Sequence, residues 1–167
     1  MATIADGNNS YCTKADADTY FAARLHSTVW SDADIGDQNI ALVMSTRLID
    51  TSFIFEGGPV TIGQLKQWPR LGLFGPTGEV VDYTIPTLLK EATAELAMDL
   101  LGTDRTLDSD SDNLASLSLG SVSLNFKDKQ TTRKPIPDRV VEMLHLWGRL
   151  KGQVAQSSGG LVKLVRS

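Results

Sequence analysis

The stretch from Pro86 to Leu101 constrains this chain most. Proline is favoured at a first helical position, where its missing N–H would be unpaired anyway. Leu89, Ala92, Leu96 and Leu100 then recur at helical spacing, and Leu88, Ala94 and Met98 widen the stripe. Gly102 is a stop signal. The spacing predicts a helix over 86–101 whose apolar face other elements must cover. A helix over 14–25 is expected, with Thr13 as N-cap, Asp16 three residues on, and Ala17, Tyr20, Phe21 and Leu25 as its stripe. Another is expected over 37–50, or from the acidic turn at 31–34, burying Ile40, Leu42, Val43, Met44 and Leu48. A last one over 137–151 turns Val140, Val141, Leu144, Trp147 and Leu150 inward. The expected fold class is mainly α: a small bundle of about four helices with a β-hairpin and an extended C-terminal tail.

A chain of 167 residues fits one domain. Residues 1–12 read as a loose or extended leader, 13–151 as the helical domain and 152–167 as a docking tail. Within the domain, 51–85 is a long loop punctuated by Gly and Pro. Its Phe53, Phe55, Leu65, Trp68, Leu71 and Phe74 would pack it back on the body, with a short helical turn near 64–67. Residues 103–113 form a polar, acidic loop. Over 117–126, Leu117 and Leu119 alternate with Ser, and the phase shifts at Gly120-Ser121 to Val122, Leu124 and Phe126. That is a hairpin or a bulged strand. A lone two-stranded ribbon is marginal in water, so Leu119, Gly120, Val122, Leu124 and Phe126 are candidates for contact with a neighbouring subunit.

Charge divides the chain. Residues 1–126 hold 7 Lys/Arg and 17 Asp/Glu, a net −10; residues 127–167 hold 9 and 3, a net +6. An acidic body with a basic C-terminal quarter suits a molecule that meets partners end to end, including copies of itself, although small domains are often lopsided. The overall −4 argues against a general nucleic-acid binder. No apolar run reaches the roughly 20 residues of a membrane span, and the first ten residues lack the basic and apolar regions of a secretory signal.

The residues that carry catalysis elsewhere are thin here. Cys12 is the one cysteine, which excludes an intrachain disulfide and a Cys-based zinc site. His26 and His145 are the only histidines and lack ligand spacing. No Gly-x-Ser-x-Gly elbow or phosphate-cradling Gly-rich loop is present. Asp16/Asp18 and Asp32/Asp34 read as caps and solvated acids, and 108–112 lacks the glycine and closing Glu of a calcium loop. No enzyme activity, metal or cofactor is expected. Two other features stand out. In Trp68-Pro69-Arg70, proline forces Trp68 to be extended, so that its ring plugs a groove while Arg70 bonds nearby carbonyls or a carboxylate. This is a structural loop anchor, or else a partner contact. At the end, Leu161, Val162, Lys163, Leu164, Val165 and Arg166 form an apolar, basic, β-prone segment behind a Ser-Ser-Gly-Gly joint. It suits strand addition to another molecule, or a tail that folds back.

Taken in order, these residues resemble the head–tail connector (adaptor, head-completion) proteins of tailed phages, some of which carry the label DnaT-like single-stranded-DNA-binding protein. The matching pieces are Ser10-Tyr11, Ala15 to Phe21, Ala41, Ser45 to Asp50, Gly63-Gln64, Trp68-Pro69-Arg70, Ile85-Pro86, Ala92, Glu95 to Ala97, Gly120 to Ser123 and Ile136-Pro137. The tail beyond Gly152 departs from the pattern. The resemblance implies a homo-oligomeric, dodecameric ring beneath the phage portal protein. Such a ring extends the DNA channel, touches the genomic double-stranded DNA in passing and joins a downstream neck or tail completion protein. It implies a protein made in the host bacterial cytoplasm and placed in the virion, with no membrane partner. On that reading 161–166 dock on the portal and an acidic body lines the channel. The alternative is a single-stranded-DNA-binding replication protein, which needs a basic groove with stacking aromatics; Trp68, Arg70 and Phe74 are its candidates.

Overall fold

The computed structural model of the protein describes residues 5–105, 116–119, 122–125 and 134–152. It is mainly α, with five helices and three small antiparallel strand pairs among the described residues. Helix α1 (Lys14–Ala22) starts on a capping box: the Asp16 N–H donates to Thr13 Oγ1 at 3.1 Å and the Thr13 N–H to Asp16 Oδ2 at 3.3 Å. It stops three residues short of the expected end, because Leu25 is 82% exposed and finds no core to join. A single turn, α2 (Thr28–Ser31), follows and buries Trp30 against Phe21, with ring centroids 5.0 Å apart. Helix α3 (Ile35–Ser52) is longer than its stripe suggested; Leu42, Val43 and Ile49 are buried, Met44 and Leu48 half-buried, and Ile40 largely exposed.

Helix α4 (Thr87–Gly102) is the axis of the fold. Pro86 is its N-cap rather than its first residue. Its wide stripe serves two apolar clusters. Leu89, Ala92 and Leu96 enter one with Ile49, the loop aromatics, Val140 and Trp147. Ala94, Ala97 and Met98 enter the other with Ala17, Phe21, Trp30 and Leu42. Small side chains on the second side let α1 and α3 approach closely.

Three expectations need correction. Residues 5–12 are not loose: Ala5, Ser10, Tyr11 and Cys12 are buried. Polar bonds hold them there, among them Ala5 N–H to Asn39 Oδ1 at 2.8 Å and Tyr11 N–H to Thr46 Oγ1 at 3.0 Å. The 51–85 loop contains β1 (Phe53–Phe55), β2 (Gly58–Pro59) and β3 (Arg70–Leu71), and 64–67 is bent rather than helical. The last helix, α5 (Asp138–Leu144), is half the expected length. The chain then forms β6 (Gly148–Leu150), which pairs with β1 in the register Phe53↔Leu150, Ile54↔Arg149, Phe55↔Gly148. Gly148 permits this: a Cβ there would lie 2.7 Å from the Ile54 carbonyl oxygen. The hairpin exists as β4 (Ser116–Leu119) and β5 (Val122–Asn125), paired Leu119↔Val122 through Ser116↔Asn125. Gly120, Phe126 and the tail 153–167 lie outside the described residues.

Candidate functional site

The Trp68-Pro69-Arg70 string sits inside the molecule. Trp68 is 1% exposed, and the Trp68–Pro69 bond is cis. Its ring packs edge-on against Phe55 and Trp147, each 5.7 Å away, and Phe55 stacks on Phe53 at 5.5 Å. Arg70 donates to four backbone carbonyls: Glu56 at 2.6 Å, Gly57 at 2.9 Å, Gln67 at 3.0 Å and Phe55 at 3.3 Å. Beside it, Tyr11 donates to Asp50 and accepts the Trp68 N–H at 3.2 Å. Lys66 reaches the Ser10 carbonyl at 2.9 Å and lies over the Tyr11 ring. Burial raises the Tyr11 hydroxyl and the Asp50 carboxyl and lowers the Lys66 ammonium. All of these groups face one another, and none of this set opens a site to solvent.

A second cluster ties three helices together. Glu95, 3% exposed on α4, accepts Tyr20 Oη at 2.8 Å and Arg139 Nε at 3.0 Å and pairs with Arg24. Arg139 also bonds Asp99 at 2.5 Å. Burial pulls the Arg139 guanidinium down, but Asp99 and Glu95 outweigh it and hold its pKa above the usual value. Tyr20 is pushed up to about 12 by burial and by its bond to Glu95. Alongside lies a cavity of about 590 Å³ lined by Cys12, Asp16, Tyr20, Arg24, Lys90 and Glu91. It carries both signs of charge. Burial pushes the Cys12 thiol up to about 12, so it is protonated at neutral pH. No metal-ligand cluster occurs among the described residues.

The surface with the character of a binding face is one that sequence reasoning largely missed. Residues 72–83 form a ribbon: Val81 N–H donates to the Leu73 carbonyl at 3.1 Å, Phe74 bridges Val80, and Asp82 Oδ1 accepts the Gly72 N–H at 2.7 Å. The ribbon exposes Phe74 (59%), Val80 (63%) and Tyr83 (69%). Tyr83 has φ 62, a left-handed conformation that costs a bulky residue strain. Trp147 Nε1 donates to the Phe74 carbonyl at 2.8 Å, which fastens the ribbon beside the start of β6 with its exposed Arg149. Of the proposed DNA-contacting set, Phe74 is therefore at the surface, while Trp68 and Arg70 are not. Glycines and turn residues mark the segment in the sequence, but nothing there signals which aromatics stay outside.

The chain matches, over residues 2–167, the family described as "Putative DnaT-like ssDNA binding protein". It belongs to this family. No curated protein and no solved structure matches it. The match carries the DnaT-like part of the resemblance; the connector part has no counterpart in these comparisons. No helix among the described residues is long and apolar enough to cross a membrane.

Proposed function

We propose that this DnaT-like family member binds single-stranded DNA at its basic C-terminal end, with the exposed ribbon as the stacking platform. Family membership over nearly the whole chain is the observation that carries the reading. The geometry is compatible with it. Phe74 and Tyr83 offer ring faces, and β6 beside them lies within residues 127–167, the quarter of the chain with net charge +6. Stacking tolerates any base, and the cations supply salt-sensitive phosphate contacts. The ribbon belongs to the acidic stretch and carries Glu79 and Asp82, so it offers stacking alone, and the phosphate contacts must come from cations of residues 127–167. Fluorescence anisotropy with a labelled oligothymidine tests this. Binding is expected to weaken steeply with added salt, and Phe74→Ala or Tyr83→Ala to weaken it by about 1–3 kcal/mol each. Salt-insensitive or undetectable binding at micromolar protein refutes the reading.

A second reading, the ring-forming head–tail adaptor, is favoured by a different observation. Trp68 and Arg70, the strongest aromatic–cation pair in the sequence, are used up as an internal anchor. The β4–β5 hairpin makes a sheet only with itself among the described strands. A part built this way gains its missing partners by assembly. Mass measurement of the protein alone and with portal rings separates the two readings: a discrete ring or portal complex without oligonucleotide binding favours the adaptor.

A further inference from the structure

A groove of about 320 Å³ opens between the N-terminal half of α3 and the C-terminal end of α4. Its floor is apolar, with Ile40, Met44, Leu100 and Leu101, and its rim is acidic, with Asp37 and Asp104. Ile40 is 45% exposed although it lies on the stripe the sequence would bury. Helix α4 ends here with no basic residue in its last turn, so its carbonyl end adds partial negative charge. The groove therefore asks for a short segment that alternates aliphatic side chains with cations.

We infer that the occupant is the chain's own C-terminal segment, Leu161 to Arg166. Four aliphatic side chains there match the floor, and Lys163 and Arg166 match Asp37 and the carbonyl end of α4. Reach is sufficient. The Lys151 N–H donates to the Ser52 carbonyl at 2.7 Å, so the body releases the chain beside the C-terminal end of α3. From there to Ile40 is twelve helical residues, about 18 Å. Gly152 to Leu161 is nine residues, which span up to about 30 Å. Gly152 itself has φ +87, a conformation that turns the chain at the exit and that glycine adopts without strain. A tethered segment also meets its groove at high effective concentration, ahead of a second copy. The inference depends on neither functional reading but competes with both for the tail: Lys163 and Arg166 seated in the groove are withheld from nucleic acid or a portal until displaced.

Disulfide trapping in the full chain tests it. Met44→Cys is combined with Leu161→Cys or with Leu164→Cys, at low micromolar protein; native Cys12 is buried and does not compete. A control joins Leu65→Cys, 93% exposed on the loop whose Gln67 bonds the Asp50 and Phe53 carbonyls beside the chain exit, to the same tail positions, so it is within the tail's reach but outside the groove. An intrachain bond is expected in at least one Met44 pair, forming about tenfold faster than in the control and slowed by added salt. Circular dichroism verifies that each variant is folded. Bonds that form only between molecules assign the groove to a second copy and overturn the inference. So does trapping no faster than the control.

Discussion

Arg70→Met tests the loop anchor. The substitution keeps an unbranched stem of similar reach and removes all the donors. It leaves the carbonyls of Phe55, Glu56, Gly57 and Gln67 without their partner. A hydrogen bond to a charged group contributes about 1.5–3 kcal/mol, and a buried acceptor left alone costs about 1–3 kcal/mol. The bond to Phe55 is fully buried and the other three are partly wet, so water recovers some of the loss. A destabilisation of about 3–4 kcal/mol follows. For a chain of this size that lowers Tm by roughly 10 °C. Arg70→Lys should recover less than half, because one ammonium cannot reproduce a planar fork aimed at four oxygens. Urea unfolding followed by tryptophan fluorescence reads the change, with Trp68 and Trp147 packed next to the anchor. The midpoint should fall at constant slope. A loss below about 1 kcal/mol for Arg70→Met, or a lysine variant as stable as the parent, refutes the reasoning.

Glu95→Gln leaves Arg24 and Arg139 facing a neutral amide; unfolding is expected to be easier by about 3 kcal/mol, and hydrogen exchange in α5 to rise more than in α3. Gly57→Ala combines φ +69 with a Cβ driven into the Leu71 carbonyl oxygen, so thermal melting should show a large loss where Gly63→Ala, in open space, shows a smaller one. Acid titration followed by circular dichroism should reveal an α1-dependent limb. Burial pushes the Asp16 and Asp18 carboxyls up, but hydrogen bonds from Thr13 to Asp16 and from Lys14 and Trp30 to Asp18 outweigh it and hold both below the usual range. A depressed folded value stabilises above the unfolded pKa near 4, and that stability is lost as pH falls through the folded values. Asp50, raised by burial, acts in the opposite sense, so Asp18→Asn should flatten the acid limb while Asp50→Asn should not.

The helices were legible because their stripes are long: α4 could be read from Pro86 and its leucines almost to the residue. What was hidden depends on distant partners. The 148–151 segment continues a helical pattern locally, yet Gly148 and Leu150 gain a strand partner in β1, some hundred residues earlier, and tertiary pairing overrides local preference. Trp30 on its single-turn helix had no periodicity to announce it; the ring of Phe21, the carboxylate of Asp18 and the buried cluster around α4, all brought up by the tertiary fold, hold it in place. The candidate face was half legible for a related reason. Pro69 and Arg70 marked Trp68 as an anchor, but Phe74 and Leu65, expected to pack back with it, are exposed, and Tyr83 carried no signal at all.

The β1–β6 pairing sets an order of events during synthesis. Phe53 and Phe55 emerge first, and Trp147 and the strand that seals them follow about ninety residues later. Until residues 147–150 have emerged, the nascent polypeptide therefore holds an open aromatic box, and closing it is a long-range step. A product truncated before residue 147 leaves the ribosome with that box unsealed, a ready substrate for chaperones or for quality-control proteolysis.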